Sequence, residues 1–236
     1  MKPIKNWDNK TWLSSKEYIN SFNKFLFKNC KINRSSKILD IGCGRGKIIG
    51  SIASQLKLND KPVGIDLEDH ADKDKRINFQ KIDALKFLKK NKIIFDLILI
   101  KQTIHFLNLN QINKFINLCK KNLKSQGTII ILTLDPVNNE IPTFTLMENK
   151  LKKSLKRDIQ ILNLIKKNNK KFFIKRFIYN VDISKKKYLK MIENKYISTL
   201  LNLSKFQIIN GIKEINDKYN SKIKFRDKLI CLILKK

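Results

Sequence analysis

Apolar and polar residues change their period several times along this chain, and each change marks an element. Residues 14–30, SSKEYINSFNKFLFKNC, set Tyr18, Ile19, Phe22, Phe25 and Leu26 at helical spacing behind Ser14 or Ser15 as N-cap. KILDIG (37–42) is a short apolar run ending on glycine, which predicts a buried parallel strand. KIIGSIASQLKL returns to the helical period. PVGID (62–66), INFQKID (77–83) and FDLILIK (95–101) read as second, third and fourth strands, with ALKFLKKN a short helix between the last two. In NQINKFINLCKKNLKSQG (110–127), Ile112, Phe115, Ile116, Cys119 and Leu123 share one helical face, and Gly127 reads as the stop. GTIIILTL (127–134) is the fifth strand.

The rhythm changes after Asp135-Pro136. Residues 144–167 read as a very basic helix, and FFIKRFIYNVDI (172–183) as a long strand. Helices are expected to begin at Ser184 and Ser204, and IKFRDKLICLILKK closes the chain as an interior strand. Strands alternating with helices predict a right-handed, mostly parallel α/β sheet. The expectation is one domain over 1–236, with about seven strands and a helical insertion after the fifth.

Composition adds little to this picture except through charge. No run of 18 apolar residues predicts a membrane span, and the first residues lack the apolar core of a secretory signal. Cys30, Cys43, Cys119 and Cys231 are scattered without a CxxC pair, which points to reduced thiols, no metal site and a cytoplasmic location. The net charge of +31 invites a nucleic-acid reading, but only six of the 51 basic residues are arginine, the side chain best suited to phosphate. The lysines spread along the chain without forming a block. Nucleic acid is therefore the less favoured partner, and a solvated surface the simpler explanation.

The chemistry concentrates in ILDIGCGRGKIIG (38–50). A dinucleotide fingerprint needs a glycine at 47, where Lys47 stands, and no window fits a P-loop. Asp40 lies two residues before the first glycine. A carboxylate there opposes a pyrophosphate and favours a cationic, phosphate-free ligand, such as S-adenosylmethionine with its sulfonium and amino groups.

This string resembles motif I of the class I S-adenosylmethionine-dependent methyltransferases, an acid followed by G-x-G-x-G. The later motifs follow in order: Asp66 ends the second strand where the family places an acid on the ribose hydroxyls. Asp83 with Ala84 falls at the adenine edge, Asp83 also being suited to cap the next helix. FDLILIKQTIHFL matches the strand facing the transferred methyl, and GTIIILTL the fifth strand. The resemblance covers roughly residues 35–135. It implies a Rossmann-like fold, a seven-stranded mostly parallel sheet with helices on both faces and a helical lid. It further implies an N-terminal helical cap over 1–34, a cofactor-binding core over 35–135, and lid and closing strands over 136–236. The cofactor set it implies is Asp40, Gly42, Cys43, Gly44, Gly46, Asp66, Leu67, Asp83, Ala84 and Lys101; Gly50 reads as helix–sheet packing.

Methyl transfer releases a neutral thioether, so alignment and water exclusion matter more than acid catalysis. The stretch Ile100-Lys101-Gln102-Thr103 does not resemble the [N/D/S]-P-P-[Y/F/W] loop of amide-type methyltransferases. His105 follows it, as a base for the acceptor or as a capping and packing residue, while His70 in LEDHADKDKR reads as solvated surface. The C-terminal third resembles the lid of trans-aconitate and ubiquinone-biosynthesis methyltransferases, which implies a small-molecule acceptor bordered by Tyr196, Ser198 or Thr199; helix packing is the other reading. Trp7, Trp12 and Tyr18 either close over the cofactor and acceptor or form the apolar face of a docking helix.

Overall fold

The computed structural model describes residues 11–236, so Trp7 lies outside the described residues. Helix α1 (Lys16–Asn29) begins at Ser15, whose hydroxyl accepts from the Tyr18 N–H. The elements that follow are β1 (Ile38–Ile41), α2 (Lys47–Leu56), β2 (Val63–Asp66), β3 (Asn78–Lys81), α3 (Ala84–Lys90), β4 (Phe95–Lys101), α4 (Leu109–Lys121) and β5 (Leu123–Leu134). Then come α5 (Thr145–Lys167), β6 (Phe172–Ser184), α6 (Lys185–Glu193), α7 (Lys205–Lys218) and β7 (Lys222–Lys235). Short 3₁₀ turns cover Trp12–Ser14, Ile104–Phe106 and Ser198–Leu200.

All seven strands join one sheet in the order β3-β2-β1-β4-β5-β7-β6. The first five run parallel, and β7 enters antiparallel between β5 and β6, with Leu132 opposite Cys231 and Phe177 opposite Leu229. Burial on both faces explains why β1 and β4 read as unbroken apolar runs. On one face α1, α2, α6 and α7 pack Phe22, Leu26, Ile49, Met191 and Ile215 against Leu97, Leu99 and Leu132. On the other, α3 and α4 pack Phe87, Ile112 and Phe115 against Ile98, Ile100 and Ile131. Helix α5 stands where the sequence predicts an insertion; it gives Met147 to the first cluster and Ile161, Leu162 and Ile165 to the second.

One boundary differs from the sequence reading. Helix α4 ends at Lys121 and not at Gly127, because Asn122 closes it and Leu123 already pairs with Phe95 of β4. The Asn122 amide donates to the carbonyls of Leu88 and Leu118, tying the helix end to α3. Gly127 lies inside β5, where a Cβ would overlap the Leu123 side chain. Its role is close packing within the strand, and the helix stop falls to Asn122.

Candidate functional site

The parallel strands end together along one edge of the sheet, and the turn after β1 opens there. Gly42, Gly44 and Gly46 all take positive φ, at 72°, 54° and 67°. The three are not equivalent. A Cβ on Gly42 would overlap Thr103, and one on Gly46 would overlap Ile77, whereas one on Gly44 would meet nothing within 4 Å. Gly42 and Gly46 therefore admit close packing, while Gly44 leaves open space.

The amides of this turn are already used. Gly42 and Cys43 donate to the Ile65 carbonyl, Gly46 donates to the Cys43 carbonyl, and Gly44 donates to Asp66 Oδ2 at 2.8 Å. A phosphate cradle needs such N–H groups turned outward. Here four of them bind protein oxygen, which supports the sequence argument against a phosphate ligand. Asp66 also accepts from the Glu68 N–H at 3.0 Å, so its carboxylate is fixed at the tip of β2 with lone pairs to spare.

The segment after β2 folds back over the turn. The buried Arg45 guanidinium donates to Asp72 at 2.7 Å, and the Asp74 N–H donates to the Arg45 carbonyl. The atoms nearest to a Cβ on Gly50 are those of the Asp74 carboxylate in this segment. The fold-back also buries His70, only 3% exposed, which corrects its reading as solvated surface. Neither Arg45 nor His70 carried a functional expectation.

One cavity of about 720 Å³ runs from this edge into the C-terminal third. Gly42, Asp66, Leu67, Asp83, Ala84 and Lys101 line one end. Asp83 also caps α3, accepting from the Lys86 N–H at 2.9 Å, which is the capping role foreseen for it. His105, Tyr196, Ser198 and Thr199 line the other end with Trp12. The Tyr196 hydroxyl is bonded to that of Tyr188 at 2.8 Å, and Tyr188 in turn donates to the Pro142 carbonyl at 2.6 Å. Trp12 meets Tyr196 edge-on and donates its indole N–H to Asp227 at 2.9 Å.

Five expected residues lie outside the lining. Gly44 and Gly46 belong to the turn beside it, and the Cys43 thiol turns toward Gly64 of β2, where burial raises its pKa well above the ordinary thiol range. Asp40 is buried in β1, and burial lifts its carboxyl to about 7, against an opposing pull from the Lys101 ammonium and a further push from Asp66. Tyr18, expected at the acceptor, is fully buried among Phe22, Phe177 and Tyr179, with its hydroxyl facing Asp227. It packs beneath the cavity and is no part of the wall, because α1 turns its apolar stripe to the sheet. Lys101 lies over the Tyr18 and Phe22 rings at 5.3 and 5.6 Å.

The cavity also holds polar groups that sequence reasoning missed. Asp158 of α5 is 4% exposed; its Oδ2 accepts from the Thr133 hydroxyl at 2.6 Å, and its Oδ1 has no partner. Asp227 of β7 is fully buried, also with Oδ1 unpartnered. Both signals were legible. Leu151, Leu155, Asp158 and Leu162 share one helical stripe, and Phe225, Asp227 and Leu229 alternate on one strand face, so each acid sits in an apolar phase. His105 leans on Phe106 at 4.3 Å, its Nε2 is buried without a partner, and burial followed by the Arg157 charge lowers its pKa to about 4. Among the described residues, five carboxylates (Asp66, Glu68, Asp83, Asp158, Asp227) and two lysines (Lys86, Lys101) line this cavity. No cluster of three metal-ligating side chains occurs among the described residues, and no helix there is long and apolar enough to cross a membrane.

Comparison with known proteins agrees with this arrangement. Residues 38–127 match the family model described as a methyltransferase domain, a span from β1 into the start of β5 that covers less than half of the chain. No curated protein matches the chain by sequence. Among solved structures, the plantazolicin methyltransferase BpumL in complex with a triazolic desmethyl analogue and S-adenosylhomocysteine aligns with a TM-score of 0.54 at 20% identity, covering 98% of this chain and 88% of that one. A SAM-dependent methyltransferase from Archaeoglobus fulgidus aligns with a TM-score of 0.53 at 18% identity, covering 94% of this chain and 95% of that one. At these identities the likeness speaks for the fold, while the match over the glycine turn and the acids of β2 and β3 speaks for the domain. Residues 38–127 of this chain thus resemble a methyltransferase domain, set on a Rossmann-like, seven-stranded sheet.

Proposed function

We propose that the protein transfers the S-adenosylmethionine methyl group to a small-molecule acceptor held in the same cavity. The observation that carries this reading is the continuity of the cavity, from Asp66 and Asp83 past the loop after β4 to Tyr196, Ser198 and Thr199. Its volume of about 720 Å³ falls in the range of roughly 300–1,000 Å³ usual for small-ligand sites. BpumL was captured with S-adenosylhomocysteine and an acceptor analogue together, which is the pairing proposed here.

When bound, the cofactor supplies an electrophilic methyl on a neutral leaving group. The residues of this chain fit it. Asp66 would accept from the ribose hydroxyls while its Gly44 contact keeps it in place, and Gly44 leaves room for the ligand beside the turn. Leu67, exposed at the cavity edge, and Asp83 with Ala84 would hold the adenine. Asp40 and Lys101 set the charge beneath the methionyl end. Helix α5 and the Ser198–Leu200 turn serve as lid. His105, held neutral by burial, faces the acceptor as a hydrogen-bonding group and a weak base.

The nucleic-acid alternative draws on the charge of +31. Inside the cavity the balance reverses, so the lysines belong to the outer surface. The test is turnover with a metabolite panel and with RNA, each across a salt series. A small acceptor gives turnover nearly independent of salt, whereas RNA binding falls steeply with log salt. Steep salt dependence with RNA as the methylated product would replace this proposal.

A further inference from the structure

The acceptor end of the cavity is built for one kind of charge. Among the described residues, four of its buried polar atoms lack any partner: Asp158 Oδ1, Asp227 Oδ1, His105 Nε2 and the Thr199 hydroxyl, which can donate as well as accept. Two of these are carboxylate oxygens that only accept, and the neutral imidazole is able to accept as well. Unmatched buried acceptors are costly, and those that line a cavity are placed to take a donor from a ligand or from water.

The two acids are not in the same state. Asp227 already has the Trp12 indole at 2.9 Å and lies beside the Lys101 ammonium and the Tyr18 hydroxyl. Asp158 has the Thr133 hydroxyl alone as a hydrogen-bond partner, and Arg157, the nearest cation on its own helix, donates elsewhere, to the Leu107 carbonyl at 2.7 Å. Ser154, one turn earlier on α5, lines the same wall, and Leu151 and Ile141 supply apolar surface around it. Burial raises the Asp158 pKa, a cost that an arriving cation offsets.

We infer that Asp158, oriented by Thr133, is the recognition group for a protonated amine on the methyl acceptor, whose apolar body lies against Leu151 and Ile141. The inference rests on the proposed function, since it places the amine beside a cofactor-loaded site. It is a statement about binding, and leaves open which acceptor atom receives the methyl. The chain as a whole carries 20 acids against 51 basic residues. The Arg157 charge offsets the burial of Asp158 in part, but no cation is bonded to its carboxylate, and a cationic ligand supplies that contact.

The test uses calorimetry on the whole protein. The protein is first titrated with S-adenosylhomocysteine. Failure at this step rejects the methyltransferase reading itself and with it the amine site. The loaded protein is then titrated with phenethylamine, 2-phenylethanol and phenylacetate, a matched set differing in the polar group. The amine is expected to bind at least about tenfold more tightly than the alcohol or the acid, the scale of a charge-assisted hydrogen bond. Asp158→Asn, nearly isosteric, is expected to abolish that preference while leaving S-adenosylhomocysteine affinity unchanged. Thr133→Val should reduce the preference in part. Equal binding of amine and alcohol, binding of the acid alone, absence of amine binding to the loaded protein, or a preference that survives Asp158→Asn would each overturn the assignment.

Discussion

Asp40 gives a prediction whose size follows from its place in the fold. The side chain is 4% exposed in a strand buried along its whole length, and its carboxyl is lifted from an ordinary 3.8 to about 7. Between those two values the unfolded chain has released a proton that the native state still holds, so stability falls as pH rises. The slope is roughly 1.4 kcal/mol per pH unit, and the loss from pH 4 to pH 7 is about 4 kcal/mol. Above pH 7 this contribution is flat. Asp40→Asn removes the titration and keeps the shape. In urea unfolding without ligand, the variant and the parent should have similar stability near pH 4.5, and the variant should be the more stable by several kcal/mol near pH 8. The same variant should bind S-adenosylmethionine less tightly at pH 8, because the anion that favours its cationic end is gone. Stability curves that run parallel across the whole pH range would refute the burial argument for Asp40.

Three further substitutions probe the site. Asp66→Ala should weaken S-adenosylmethionine binding by roughly 1.5–3 kcal/mol, the worth of charge-assisted hydrogen bonds to a buried ligand, and calorimetry showing unchanged affinity would remove Asp66 from the site. Gly42→Ala and Gly44→Ala separate packing from ligand space: both adopt a positive φ costing about 1–2 kcal/mol, but only Gly42→Ala adds overlap with Thr103. Thermal unfolding should therefore rank Gly42→Ala as the less stable, whereas Gly44→Val should keep its fold and lose cofactor binding. For His105, a pKa of about 4 leaves the ring neutral near pH 7, so kcat should show no histidine limb between about pH 5.5 and 8. A kcat that collapses in His105→Gln, with a limb near pH 6.5 in the parent, would restore a strong general base.

The fold was largely legible because its determinants are local. The apolar runs of β1 and β4, the glycines at 42, 44 and 46, and the serines at 15, 184 and 204 each announce an element without reference to the rest of the chain. The end of α4 was misjudged because Gly127 is a conspicuous breaker, while the actual stop depends on an Asn122 side chain reaching α3. The cofactor-end positions came from the resemblance of the glycine string and the acids after it to the family's motifs, and Gly42, Asp66, Leu67, Asp83, Ala84 and Lys101 of that set line the cavity. At the acceptor end the sequence pointed to His105, Tyr196, Ser198 and Thr199 but not to Asp158 and Asp227, whose apolar phase marks burial while their place on the cavity wall depends on how α5 and β7 pack against the sheet. Tyr18 and His70 show the same limit from opposite sides: an amphipathic helix drew Tyr18 into the core, and the Arg45–Asp72 clamp drew a polar loop inward over His70.

The most direct test of the proposed site is a competition titration at the glycine turn. The protein, followed by calorimetry, is offered S-adenosylmethionine, S-adenosylhomocysteine, NAD and ATP in turn. Saturable one-to-one binding of the first two, lost in Gly44→Val, is the expected result, with no competing occupancy by either phosphate ligand. Binding of NAD or ATP at that turn, with neither sulfur nucleoside bound, would contradict the assignment of a cationic, phosphate-free cofactor.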